Sequence, residues 1–301
     1  MLAIVIPFYN LTFFETTLQS LANQTDKRFK VYIGDDASPE DCSSLLRKFE
    51  GKFDFAYYRF ENNLGGTSLT KQWERCIALS GPEEWLMILG DDDVLEKNVV
   101  EEFYKEYNIF KGKANVVRFA SKIIDENAKT VSDVYVNPKW ESATDSFFRK
   151  FEYLTRGSLS EHVFSKVSFF QYGFQDYPLA WCSDDRAWLD FSKEKPVFSI
   201  NQSVVYVRIS ESSISGKSDN INKKQEATVE FFRFIILNKL KFYNKSQRKR
   251  LLDRYEISIK KMRKIHLSEW FIIMFLYLNY FDSNSLKKVI RRFVKSIKYE
   301  D

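Results

Sequence analysis

The chain has 301 residues, 44% of them hydrophobic and 17% aromatic, enough for one large domain, alone or with a smaller appendage, around a sizeable core. Its three cysteines, Cys42, Cys76 and Cys182, form no CxxC pair and argue against a disulfide framework or a zinc site, and no run of about 18 apolar residues is present to span a bilayer. The net charge of +5 is uneven: from Lys239 to Asp301 there are 17 Lys and Arg against 6 Asp and Glu, and 29 against 35 in the remainder.

Residues 1–7, Met1-Leu2-Ala3-Ile4-Val5-Ile6-Pro7, lack a basic flank and stop at proline. They are expected to enter a first strand (3–8), not to form a signal peptide. A helix is expected over 12–22 and a second strand over 29–34. Ser38 followed by Pro39 offers an N-cap and a first-turn proline for a helix ending near Gly51. Strand 55–60, helix 68–79, strand 85–89, helix 98–110 and strand 115–119 follow. This alternation predicts an α/β fold with a doubly wound, mainly parallel sheet and helices on both faces. The stretch 122–216 is less regular, with short strands expected at 131–136, 162–164 and 203–207. The Ser-rich stretch 210–216 is expected to be a linker. From Asn222 onward the pattern turns helical and basic.

Open parallel sheets bind ligands beyond the carboxyl ends of their strands. The loops there hold Tyr9-Asn10, Asp35-Asp36, Asn62-Asn63-Leu64-Gly65-Gly66 and Asp91-Asp92-Asp93. Three adjacent carboxylates repel one another, and a hard divalent cation shared with a diphosphate offsets that repulsion. Acids at a helix start would also satisfy the helix dipole. Read alone, Asp35-Asp36-Ala37-Ser38-Pro39 is ordinary turn chemistry. The turn at Asn63-Leu64-Gly65-Gly66 precedes a helix and can bring backbone N–H groups toward phosphate. It is neither GxGxxG nor a P-loop, which weakens dehydrogenase and NTPase readings.

In order and spacing, Ala3-Ile4-Val5-Ile6-Pro7-Phe8-Tyr9-Asn10, Ser20-Leu21-Ala22-Asn23-Gln24-Thr25, Val31-Tyr32-Ile33-Gly34-Asp35-Asp36-Ala37-Ser38, Asn63-Leu64-Gly65 and Asp91-Asp92-Asp93 resemble the family 2 glycosyltransferases of the GT-A fold. The resemblance implies that Pro7, Tyr9 and Asn10 line a nucleotide pocket and that Asp36 meets a uracil or thymine ring. Asp91 would sit near the ribose, Asp92 would ligate Mn2+ or Mg2+, and Asp93 would support the metal or the donor sugar. Asn63, Gly65 and Lys71 join the nucleotide site. Asp184, in Ala180-Trp181-Cys182-Ser183-Asp184-Asp185-Arg186-Ala187-Trp188-Leu189, matches the family's general base, with Asp185 as the alternative. Many relatives carry a His after the last strand. Here Tyr206-Val207-Arg208-Ile209 stands there, and Arg208 is assigned to the leaving diphosphate. Trp73-Glu74-Arg75 also stands where many relatives have Ala-Arg-Asn.

The implied activity is inverting transfer of a sugar from a UDP- or dTDP-type donor to a saccharide or lipid-linked saccharide, in bacterial surface polysaccharide or glycolipid synthesis. The expected organisation is a catalytic domain over 1–216, with a nucleotide-sugar half (1–125) and an acceptor half (126–216), and a helical basic extension over 217–301. A nucleotidyltransferase would want a Gly- and Lys/Arg-rich loop after the first strand, where Tyr9-Asn10-Leu11-Thr12 stands. A non-catalytic sugar-nucleotide binding module is the third reading. The apolar run Glu269 to Leu278, flanked by basic residues, is suited to peripheral membrane contact or to a dimer interface. With an acidic body and no recognition motif, nucleic acid is not expected as a partner. The expected location is cytoplasmic, either free or peripheral on the inner face of the cytoplasmic membrane.

Overall fold

The computed structural model describes residues 1–210 and 220–298. The chain divides into two compact units, Met1–Asn220 and Ile221–Asp301. The boundary expected at 216/217 and most of the 210–216 linker lie outside the described residues.

In the first unit the elements run β1 (Leu2–Phe8), α1 (Phe14–Ala22), β2 (Phe29–Asp35), α2 (Ser43–Arg47), β3 (Asp54–Arg59), α3 (Leu69–Ile77), β4 (Trp85–Ile88), β5 (Val94–Leu95) and α4 (Val99–Phe110). They continue with β6 (Val116–Ile124), β7 (Trp140–Glu141), α5 (Ala143–Phe151), β8 (His162–Ser165), α6 (Lys166–Tyr172), α7 (Ser183–Phe191) and β9 (Val197–Arg208). The sheet order is β3-β2-β1-β4-β8-β6-β9-β5, with β7 paired to β9. The long ladders, β1 with β2 and β4, β2 with β3, and β6 with β9, are parallel. The antiparallel ladders of β5, β7 and β8 are only two or three residue pairs long.

β1 shows why the sheet is central. Leu2, Ile4, Ile6 and Phe8 point into one core with Phe14, Leu18 and Leu21 of α1 and Val99, Phe103 and Phe110 of α4. Ala3 and Val5 point into the opposite core with Trp73, Cys76 and Ile77 of α3 and Ala187, Trp188 and Phe191 of α7. A strand buried on both faces reads as an unbroken apolar run. Each fully buried Ile or Leu there is worth about 1.5–3 kcal/mol relative to exposure.

The chain leaves β1 toward β2 and β3 on one side and returns to β4 on the other. The C-terminal ends of β1 and β4 therefore flank a topological switch point, where such sheets leave a crevice for ligands.

Some expected elements differ. Of the helix expected over 38–51, only α2 forms. The Ser38 hydroxyl donates to the Tyr9 carbonyl at 2.6 Å and the Ser38 carbonyl accepts from Arg59, so this stretch is held as a loop under the end of β1. The helix starts only after Asp41, whose carboxylate accepts the Ser43 amide. The strand expected over 131–136 is reduced to isolated bridges, Ser121 to Tyr135 and Ile124 to Thr130. In place of a short strand over 203–207, β9 spans twelve residues and crosses an irregularity opposite Phe119 and Ala120.

The second unit contains α8 (Ile221–Phe234), a π-helical turn (Ile235–Lys239), a 310 turn (Leu240–Phe242), α9 (Lys245–Lys260), α10 (Leu267–Tyr280) and α11 (Ser283–Lys298). Asn244 and Gln247 form a reciprocal capping box that starts α9. Phe231, Ile235, Leu251, Tyr255, Ile259, Trp270 and Ile273 are among its buried residues. Among the described residues no helix is long and apolar enough to cross a membrane.

Candidate active site

The loops at the switch point are cross-tied by carboxylates. One oxygen of Asp91 accepts the amides of Tyr9 and Asn10, each at 2.8 Å, which fixes the turn after Pro7 and Phe8. The Thr17 hydroxyl donates to the carbonyls of Asp91 and Asp93 at 3.1 and 2.8 Å. Asp93, buried, accepts the Arg208 amide at 2.8 Å and so braces the end of β9 against the acidic turn. Asp35 is also buried and accepts from the Ser38 amide, the Tyr57 hydroxyl and Arg59. It is the turn cap its sequence context suggested.

Asp36 is equally engaged. Its carboxylate accepts the Leu64 amide at 2.7 Å, the Gly65 amide at 2.9 Å and the Arg75 guanidinium. It latches the Asn63–Gly65 turn to the end of β2. A Cβ on Gly65 would lie 2.6 Å from the Asp36 carboxylate, so any other residue there would push that carboxylate off its amides. Asn63 accepts the Gly66 amide. The α3 N-terminus follows, with Ser68 accepting the Lys71 amide as N-cap and Asp176 accepting from the Ser68 and Thr70 hydroxyls. The Lys71 side chain is exposed.

Asp92 stands apart from its neighbours. Among the described residues no other residue donates a hydrogen bond to its carboxylate. Burial, then the charge of Asp91, pushes its pKa up to about 6. Burial likewise raises Asp91 to about 6, against the pull of its two amides, and burial with the charge of Asp92 raises Asp93 to about 7. Adjacent carboxylates with this much unrelieved charge fit a hard dication bound through one or two of them, with the remaining positions left to water and phosphate. Among the described residues no group of three or more His, Cys, Asp or Glu side chains is arranged to hold a metal. A Cβ on Gly90 would lie 2.8 Å from an Asp92 oxygen and 3.0 Å from an Asp93 oxygen. Gly90→Ala is therefore expected to displace these carboxylates. Activity and divalent-ion affinity should fall at least about tenfold while thermal stability falls by less than about 1 kcal/mol. Parallel melting and metal-titration curves would check this, and unchanged ion affinity would count against a metal role for Asp92.

Arg208, the residue assigned to the leaving diphosphate, is tied to backbone carbonyls. Its guanidinium donates to the carbonyls of Asp92, Asp125 and Glu126 at 3.0, 2.6 and 3.2 Å and lies 4.3 Å over the Phe13 ring. The side chain is buried, and these donations brace the end of β9 against the acidic turn and the loop after β6.

The second acidic cluster opens α7. Leu179, Ala180 and Cys182 all take positive φ, between 52° and 67°, immediately before Ser183. Left-handed non-glycine residues are costly and cluster at functional sites. The Ser183 hydroxyl donates to the Gln175 carbonyl at 2.6 Å and anchors the helix start. Asp185 is closed by Lys150 of α5 at 2.6 Å. Asp184 carries no such ion-pair contact among the described residues. Burial raises its pKa to about 6, with Lys150 opposing and Asp185 adding to the shift. His162 stacks on Trp188 at 4.3 Å, its Nδ1 lies 2.7 Å from the Ser158 carbonyl, and burial lowers its pKa to about 4. It is a neutral packing residue.

Lys150, Arg75 and Ser160, whose hydroxyl accepts the Gly90 amide at 3.1 Å, were not assigned these roles from the sequence. Arg75 alone carried a signal, as a cation on the helix after Gly66. Lys150 and Ser160 lie in the irregular stretch, where spacing says nothing about neighbours in space.

The profile of Glycosyl transferase family 2 matches residues 3–175, more than half of the chain. The fold is similar to that of S. aureus TarS 1-349, solved in complex with UDP-GlcNAc, at a TM-score of 0.64 and 14% identity over 93% of this chain and 80% of that one. The same fragment in complex with UDP gives 0.64 and 14% over 98% and 88%. S. aureus TarS in a longer form gives 0.61 and 13% over 98% of this chain and 53% of that one. No curated protein matches the sequence. At such identities the structural likeness speaks for a shared GT-A fold alone. The profile match over ordered motifs that the structure gathers at one switch point is decisive: the chain belongs to glycosyl transferase family 2.

Proposed function

We propose that the protein is an inverting glycosyltransferase that takes a sugar from a nucleoside diphosphate donor, with Asp184 as general base. The carrying observation is the contrast between adjacent acids at the start of α7: Asp185 is closed by Lys150, whereas Asp184 has a raised pKa and no ion-pair contact among the described residues. A base poised near 6 is ionised at neutral pH yet strong enough to take a hydroxyl proton. In the proposed step the acceptor oxygen attacks the anomeric carbon and Asp184 takes its proton. The bond from that carbon to the phosphate oxygen breaks, and its electron pair leaves with the nucleoside diphosphate. Attack from the far face inverts the anomeric centre.

Asp92, with Asp93 beside it, would hold Mn2+ or Mg2+, which when bound supplies positive charge against the departing diphosphate. Tyr9, Asn10, Asp91, Asp36 and the Asn63–Gly65 turn would frame the nucleoside. The Asp36 carboxylate already accepts three hydrogen bonds, which leaves little capacity for a base N–H. Lys71, exposed on α3, is the better-placed side chain for phosphate. A uridine donor is favoured because TarS, of similar fold, was solved with UDP-GlcNAc and with UDP. A saccharide or lipid-linked saccharide acceptor of surface polysaccharide synthesis is the corresponding reading.

The test is transfer from labelled UDP- and dTDP-sugars to saccharide acceptors with Mn2+, with the product's anomeric configuration read by NMR. Inverted product is expected. Retained configuration would remove the single-displacement step, and nucleotidyl transfer to a sugar phosphate would move the protein to another enzyme class.

A further inference from the structure

The helical unit carries an apolar surface that its own core does not use. On α10, Trp270, Ile273, Leu276 and Tyr277 are buried, as one face of a packed helix should be. The opposite face is apolar as well. Leu267, Phe271, Phe275 and Leu278, spaced four, four and three apart, are 59–65% exposed and form one stripe along the helix. A helix apolar on all sides belongs in a protein core or in lipid. Beside the stripe lies a groove of about 470 Å³, lined by Leu237, Lys241, Phe271, Phe275 and Tyr280 among others. On α11, Ile290, Val294 and Ile297 repeat the pattern at 41–42% exposure. Exposed Lys287, Lys288, Arg291 and Lys295 occupy the same helix, with Lys287 and Arg291 in the row next to Ile290 and Val294.

Charge selects the occupant. Between Lys239 and Lys298 the acidic residues are Asp253, Glu256, Glu269 and Asp282, and each already holds an ion pair with Lys249, Arg292, Arg263 or Lys245. Glu226 and Glu230 on α8 are the unit's remaining described acids, and neither forms an ion pair with α11, so exposed Lys287, Lys288, Arg291 and Lys295 hold no ion pair among the described residues. A second copy of the chain would bring the same cations against them across a two-fold axis. An anionic lipid surface accepts both features at once, taking the aromatic and aliphatic stripe into the acyl boundary and the cations at the phosphates. We propose that α10 and α11 dock the protein on the surface of an anionic bilayer, with Phe271 and Phe275 inserted and the groove beside them taking an acyl chain.

The test uses the full chain in flotation with phosphatidylcholine vesicles, with and without about 30 mol % phosphatidylglycerol. The protein is expected to float with the anionic vesicles, to stay behind with the neutral ones, and to be released by about 0.5 M salt. The exposed-site double variants Phe271→Ser/Phe275→Ser and Lys287→Gln/Arg291→Gln should each weaken partition at least about tenfold. Their circular dichroism and transfer to a soluble acceptor should be unchanged. Failure of the unaltered chain to float with anionic vesicles would overturn the inference. So would a lipid-free dimer, seen by light scattering, that Phe271→Ser/Phe275→Ser dissociates, since the stripe would then belong to a second copy. Sugar transfer in solution is read separately, so a failed docking surface and a failed catalytic assignment give different results.

Discussion

Asp184→Asn is expected to lower kcat by about 10²–10⁴-fold while nucleotide affinity stays within about a factor of two. The amide keeps the shape of the side chain and loses the ability to accept a proton. The neighbouring variant should behave differently. Asp185→Asn breaks the ion pair with Lys150 and is expected to lose stability and to cut turnover by no more than about tenfold, because the Asp185 carboxylate is already engaged by that cation. Wild-type turnover in Asp184→Asn together with collapse in Asp185→Asn would transfer the base to Asp185. The pH profile gives a second reading. Asp184 sits at about 6 because burial raises it, Lys150 lowers it and Asp185 raises it again. The acid limb of kcat/KM should therefore fall near pH 6. Lys150→Met removes the nearest cation, so that limb should move to higher pH. A limb that stays in place in Lys150→Met would mean that another group titrates there.

The second large effect concerns Asp92. Asp92→Asn is expected to weaken Mn2+-dependent nucleotide binding by at least about tenfold, measured by calorimetry with and without the ion. Equal affinity in both proteins would end the metal assignment. The same carboxylate should leave a thermal signature in metal-free protein. The folded-state pKa values of Asp91, Asp92 and Asp93 lie above the ordinary carboxylate value, at about 6, 6 and 7. Between pH 4 and these values the folded state therefore binds more protons than the unfolded state. Stability from these groups is fully present at low pH and is lost as pH rises through their folded values. Metal-free Tm should fall between pH 5 and pH 8, Mn2+ should restore it at the upper end, and Asp92→Asn should flatten the fall. A metal-free Tm that rises over this range by the same amount in both proteins would show that the cluster does not carry the predicted strain.

Much of the fold was legible along the chain because its information is local. Residues 3–8 form an apolar run buried throughout except at half-buried Pro7, so a doubly covered strand can be read directly. Ser68 sits where an N-cap is needed and does cap α3. The failures have equally definite causes. Ser38 and Pro39 look like a helix start, but Ser38 is claimed by the Tyr9 carbonyl 29 positions away. β5 and β7 are two residues each, too short for any period to register. The direction of β8 between β4 and β6 is set by pairing, about which alternation says nothing.

The sequence by itself determined the family, the sheet, and which short segments carry the acids, because motif order and hydrophobic period are written along the chain. It could not rank neighbouring carboxylates, since Asp91, Asp92 and Asp93 have almost the same local context. Only the tertiary structure separated them, by bringing the Tyr9 and Asn10 amides to Asp91, the Arg208 amide to Asp93, and no donor from another described residue to Asp92. The same holds for Asp184 and Asp185, where one lysine 35 positions earlier pairs with Asp185. It also holds for Arg208, whose charge was visible but whose carbonyl partners, Asp125 and Glu126, lie more than 80 positions away. The physical reason is common to all three cases. A charged group's role depends on which partners quench it, and folding chooses those partners from distant parts of the chain.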